Sequence, residues 1–180
     1  MSRTTRALAT LLIAGRMAAG MGPAEAMHPT EGRALAAVRQ ATARYHHPAA
    51  ALADGYVATE HCVEDPGVGG MGLHYVNPAL LLDPALDPTK PEVLIYESLP
   101  GGRLRLVAVE WFAVDPDQDV TTDDGRPSLF GVPFDGPMVG HEPGMPVHFD
   151  LHAWIWKHNP AGTFSPWNPE VGCASSPRGH

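Results

Sequence analysis

Along residues 147–156 apolar and polar positions alternate without a break. Val147, Phe149, Leu151, Ala153 and Ile155 take the odd places, and His148, Asp150, His152, Trp154 and Trp156 the even ones. A period of two marks a strand with unlike faces, so this stretch predicts a strand whose odd side lies on the core. A helix is the alternative: Val147, Leu151, Trp154 and Ile155 also share a helical face, and Pro146 suits a first turn. Upstream, PEVLIYE and RLRLVAVEWFAV are dense in β-branched and aromatic residues and predict two more strands, with LPGG between them as a hairpin turn. LHYVN is a shorter strand candidate.

The period changes near the N-terminus. In residues 30–46, Leu35, Val38, Thr42 and Tyr45 recur at spacings of three and four, predicting a helix that Thr30 can cap. Pro48 opens a second short helix and Gly55 stops it. Elsewhere the pattern breaks up: VEDPGVGGMG reads as a loop, and the prolines of NPALLLDPALDPTKP exclude one regular element. The predicted fold class is α+β, with one or two N-terminal helices packed on an antiparallel, partly barrel-like β-sheet in a single domain. Gly and Pro, 19 each in 180 residues, agree with many turns and short elements.

Residues 1–26 stand apart from this pattern. Arg3 and Arg6 precede the apolar run ALATLLIAG, and Ala24-Glu25-Ala26 is a small-x-small cleavage pattern, the layout of a secretory signal peptide. Arg16 interrupts its apolar stretch. Cleavage near Ala26 would leave one domain, 27–180, with its core at about 32–173. The expected location is secreted, periplasmic or cell-surface. Loss of the leader's three Arg and one Glu leaves 9 Lys+Arg against 19 Asp+Glu, a net charge of −10 with His neutral. That charge disfavours nucleic acid and anionic membranes as partners. No later run approaches the ~20 apolar residues of a membrane span. In an exported chain the isolated cysteines, Cys62 and Cys173, predict one disulfide closing a loop of about 110 residues.

The even face of the last strand collects the residues with chemistry. On a strand, residues two apart stand roughly 7 Å apart and residues four apart roughly 13 Å. Asp150 can therefore share an ion with His148 or with His152, whereas His148 and His152 together need a bulge or a helix. Further ligands must come from other strands. His74 follows the glycines of GMGLHYVNP, which let the backbone approach something closely. Glu110, on the alternating face of Leu104, Leu106, Ala108 and Phe112, is costly to bury unless paired or coordinated. Arg103, Arg105 and Arg126 are its candidate ionic partners. The expected metal set is His74, Glu110, His148, His152 and Asp150, holding one divalent transition metal; Zn, Fe, Cu and Mn all suit these donors. Histidine must be neutral to coordinate, so affinity should fall as pH drops through about 6.

The strings GMGLHYVNPALLLDP, LFGVPFDGPM and HFDLHAWIWKHNPAGTFSPWNP, with the closing Cys173, resemble an uncharacterised family of exported bacterial proteins. The resemblance spans roughly residues 32–173. It implies export and single-domain organisation, and no catalytic residue follows from it.

Rival functions remain open at this level, and so does whether the protein is an enzyme. One is metal binding. Another is a non-catalytic ligand- or carbohydrate-binding module, with Trp154, Trp156 and Tyr75, joined by Trp111 and Trp167, stacking on a flat ligand beside His141. A metal-free hydrolase ranks last, since no serine lies in a G-x-S-x-G turn. The expected partner is a small molecule or a metal ion.

Overall fold

Leu35, Val38 and Thr42 are completely buried on one stripe of the first helix, as their spacing requires. In the computed structural model, which describes residues 29–141 and 144–173, that helix is α1, Pro29–Thr42. The leader 1–26 lies outside the described residues. Thr30 sits inside the first turn instead of capping it. A 3₁₀ turn at Ala43–His46 ends the helical run, and Pro48 starts α2, Pro48–Ala53. Gly55, at φ +92°, reverses the chain into the sheet, a conformation that favours glycine.

The strands are β1 (Val57–Asp65), β2 (Gly69–Val76), β3 (Val93–Leu99), β4 (Arg103–Val114), β5 (Ser128–Leu129), β6 (Val132–Pro133), β7 (Asp135–Met138) and β8 (His148–Ala153). Six of them form an antiparallel sheet in the order β1-β2-β3-β4-β8-β7, and β5 pairs with β6. The α+β arrangement expected from the sequence is present; the sheet is open, with β1 and β7 at its edges, and is not a closed barrel. The short helix α3 (Pro78–Leu81) follows β2; the Asn77 side chain caps it, accepting from the amides of Ala79 and Leu80 at 3.1 and 3.3 Å. No described helix is long and apolar enough to cross a membrane.

The helices cover one face of the sheet. Leu35, Val38 and Ala51 pack there against Leu94, Tyr96, Leu106, Val109, Trp111, Phe149, Leu151 and Ala153. Burying an aliphatic side chain of the size of Leu35 contributes ~1.5–3 kcal/mol. The opposite face carries a smaller cluster of Val93, Ile95, Val107, Ala108, Trp154 and Val171.

The departures from the sequence reading have local causes. β4 does not keep one alternation throughout. Ile95 pairs with Ala108 but Tyr96 pairs with Leu106, so Val107 is an extra residue in a bulge. The bulge moves Leu104 and Leu106 onto the helix side and leaves Ala108, Glu110 and Phe112 on the other. β8 ends at Ala153, earlier than its alternation suggests. Beyond it the Trp154 amide donates to the Thr163 carbonyl and the Trp156 amide to the Val107 carbonyl. β1 was missed as a strand because it is an edge with several exposed positions, and β2 begins in what reads as a glycine loop. Gly72 is required there: a Cβ would lie 2.6 Å from the Tyr96 carbonyl oxygen.

Cys62 of β1 and Cys173 of the C-terminal tail form the expected disulfide, 111 residues apart, with Cα atoms 5.6 Å apart. The tail is also stitched to β2 by reciprocal backbone bonds between Gly70 and Asn168, each 3.1 Å.

Glu92, just before β3, is 2% exposed, and its carboxylate accepts the Phe112 amide at 3.2 Å. Burial is the main reason its pKa rises from 4.5 to about 7. A carboxyl whose folded pKa exceeds its unfolded value favours folding most when protonated, so this contribution is lost as pH rises from about 4.5 through 7. Glu92→Gln keeps an acceptor for Phe112 and cannot ionise. It is expected to stabilise the protein at pH 8 by up to ~3 kcal/mol, with no such gain at pH 4. Urea unfolding of parent and variant at both pH values checks this; a difference independent of pH would contradict it.

Candidate metal centre

The face opposite the helices is where the polar oddities of the sequence meet. On β8, Phe149, Leu151 and Ala153 enter the helix-side core, which turns His148, Asp150 and His152 to the other side. β8 pairs with β4 so that His152 lies directly across from Glu110. β2 lies two strands from β4, and His74 reaches Glu110 across β3, which presents the smaller Val93 and Ile95 on this face.

His74 Nε2 stands 3.5 Å from Glu110 Oε2, and His152 Nε2 stands 3.6 Å from the same oxygen. One donor atom from each of the three residues lies within 4.8 Å of the others. These separations exceed ordinary hydrogen-bond lengths. They resemble the roughly 3.4 Å between donors held about 2.0–2.1 Å from one tetrahedral ion. Glu110 Oε2, both ring nitrogens of His152 and Oδ1 of Asp150 are buried without a hydrogen-bond partner. Each such atom costs ~1–3 kcal/mol if nothing satisfies it.

Burial sets the charge states, with neighbours modifying them. His74 is pushed down to about 3, by burial first and then by the His152 charge. Burial raises Glu110 to about 7 against the pull of His152. Burial also opposes charge on His152, but Glu110 and Asp150 outweigh it and raise His152 to about 9. Among the described residues, no arginine is paired with Glu110. Arg105 pairs with Glu97, and Arg126 binds Asp123 and the carbonyls of Phe134 and Gly136. Glu97 is 8% exposed and also meets Lys157 at 3.3 Å.

Other sequence candidates fall elsewhere. Asp150 Oδ1 is 3.7 Å from His152 Nδ1, beside the triad and outside it. His148 also lies outside: no bulge intervenes in β8 to bring it beside His152, four residues away. Its Nδ1 meets the Pro146 carbonyl at 3.0 Å, and its ring stacks on Phe112 with 4.5 Å between centroids. His141 touches the His148 ring edge-on at 5.1 Å. The aromatic set disperses. Trp154 is in the small core cluster, its Nε1 donating to the Ser165 carbonyl at 2.6 Å. Trp156 crosses to the helix side, where Nε1 donates to Thr42 Oγ1 at 3.3 Å and the ring meets His46. Tyr75 packs on Tyr96, and Trp111 is fully buried in the same core.

The triad borders a cavity of about 340 Å³, which His141, His148, Asp150 and Trp167 also line. The sequence reading missed much of its wall: Thr59, His61 and Val63 of β1, Met71 of β2 and Leu81 of α3. The signal for Thr59, His61 and Val63 was their own alternation, hidden because β1 was not recognised as a strand. Comparison of the chain with protein-family models, with curated proteins and with solved structures found no match.

Proposed function

We propose that the protein is an exported metal-binding protein in which His74, Glu110 and His152 hold one divalent transition metal. The observation that carries this is their convergence: three donors from three strands point at one place, and neither Glu110 Oε2 nor His152 Nε2 is satisfied by a hydrogen bond. Two imidazoles and a carboxylate suit Zn, Fe, Cu or Mn. The disulfide supports the extracytoplasmic assignment. The Trp-based binding module is the weaker reading, because Tyr75, Trp111, Trp154 and Trp156 are absent from the cavity wall and Trp167 alone lines it.

Elemental analysis of protein purified without an affinity tag tests the proposal. About one equivalent of metal is expected, restored by Zn²⁺ after chelation. Less than a tenth of an equivalent, with no calorimetric binding of added Zn²⁺, Fe²⁺, Cu²⁺ or Mn²⁺, would overturn it.

Asp150 acts here as the group that orients His152, since its carboxylate faces the ring nitrogen turned away from Glu110. Such outer partners typically affect metal affinity by about 10- to 100-fold. Asp150→Asn is therefore expected to weaken Zn²⁺ binding within that range while leaving the stoichiometry at one. An unchanged affinity would remove Asp150 from the centre.

A further inference from the structure

The cavity beside the triad is larger than a metal ion needs, and most of its wall is apolar. Val63, Met71, Val76, Leu81, Phe112 and Trp167 line it together with the polar triad at one side. Its volume of about 340 Å³ falls in the range of small-molecule sites. It is too small for a folded partner. Among the described residues, only His74, Glu110 and His152 form a set of three metal-ligating side chains. Structural zinc sites close with four protein ligands, whereas sites that take an outside ligand keep a coordination position for it.

We infer that this cavity binds a small molecule with a metal-coordinating head group and an extended apolar body, the head on the triad's metal and the body along the Met71–Phe112–Trp167 wall. The inference rests on the proposed metal centre and adds the chemical class of its ligand. The far part of the site is polar again. His148 lies four residues from His152 on β8, roughly 13 Å away along a regular strand. Its Nδ1 is engaged by the Pro146 carbonyl, which assigns the proton to Nδ1 and leaves Nε2 as an acceptor. A hydroxyl or amide at the distal end of the ligand would suit it.

Cobalt-loaded protein separates this inference from the metal centre itself. Visible absorption of Co²⁺ first reports whether the metal is held; no protein-dependent band would sink the metal reading and this inference with it. Acetohydroxamate and octanohydroxamate are then titrated as probes that share a head group and differ only in the apolar body. Each methylene moved out of water is worth about fourfold in affinity. Octanohydroxamate is therefore expected to shift the Co²⁺ spectrum at a concentration at least roughly 50-fold lower than acetohydroxamate. Equal affinities on a protein that holds cobalt would overturn the ligand class and spare the metal centre.

Val63→Asp provides the second arm. Val63 is 36% exposed on an edge strand, a position where a charge is tolerated, and it lines the cavity. The variant should keep its cobalt band and its acetohydroxamate affinity but bind octanohydroxamate at least tenfold more weakly. If both probes keep their parental affinities, the long probe's tail lies elsewhere and the inference fails.

Discussion

Glu110→Gln is expected to weaken binding of a divalent transition metal by at least about 100-fold, more than removal of an outer partner does. Glutamine preserves the size and shape of the side chain, so the loss isolates charge and donor strength. Glu110 supplies the only carboxylate in the triad, and both histidines approach the same Oε2 atom. Glu97→Gln is the matched control. It alters another buried acid, one paired with Arg105 and Lys157, and should leave metal affinity unchanged. Competition titration with a chromophoric chelator measures both variants. Equal affinities for the two would identify Glu110 as a structural acid alone.

The same titration run across pH carries a sign. Metal can take the His152 nitrogen only after its proton leaves. Because Glu110 and Asp150 raise His152 to about 9, affinity should keep climbing between pH 7 and 9 by about tenfold per unit. Below pH 7 the climb should be steeper, since Glu110 must then lose a proton as well. His74, pushed to about 3, adds nothing in this range. An unperturbed histidine pair would instead reach its plateau just above pH 6. The environment of this centre thus moves the window upward from the one that residue types alone suggest.

Removing the Cys62–Cys173 bond by a Cys62→Ser/Cys173→Ser double substitution should destabilise the fold by roughly 4–5 kcal/mol, an upper value from loop-closure entropy for a loop of this length. For a chain of this size, that lowers the melting temperature by roughly 10 °C. The bond spans 111 residues and ties the tail to β1, so strands β2 to β8 lie inside the closed loop, while α1 and α2 precede it. The tail also supplies Trp167 to the cavity wall. Metal affinity should nonetheless change little, because the triad sits on β2, β4 and β8, none of which carries a cysteine. Differential scanning calorimetry tests the first statement and metal titration the second. A melting temperature within about 2 °C of the parent would refute the stabilising role.

The centre was partly visible before any fold was known. Alternation in residues 147–156 separated Phe149, Leu151 and Ala153 from His148, Asp150 and His152, because a strand's period of two needs no partner to be read. Glu110 stood out because a carboxylate among apolar strand residues demands a partner wherever it is buried. The disulfide followed from two cysteines and an export-type leader.

The tertiary structure alone decided which of these residues meet. Placing β3 between β2 and β4, and β8 against β4, brings His74 and His152 to Glu110 and leaves His148 outside the set. The bulge at Val107 reverses which positions of β4 face the helices, and that one residue decides whether Glu110 shares a face with Leu106 or with His152. Trp154 and Trp156 left the alternation because their amides found carbonyl partners on Thr163 and Val107 instead of a continuing ladder. Strand order, bulges and chain reversals arise from hydrogen bonds between residues far apart in sequence. Periodicity reports which face a side chain takes within its own strand, and it contains no information about which strand will lie beside it.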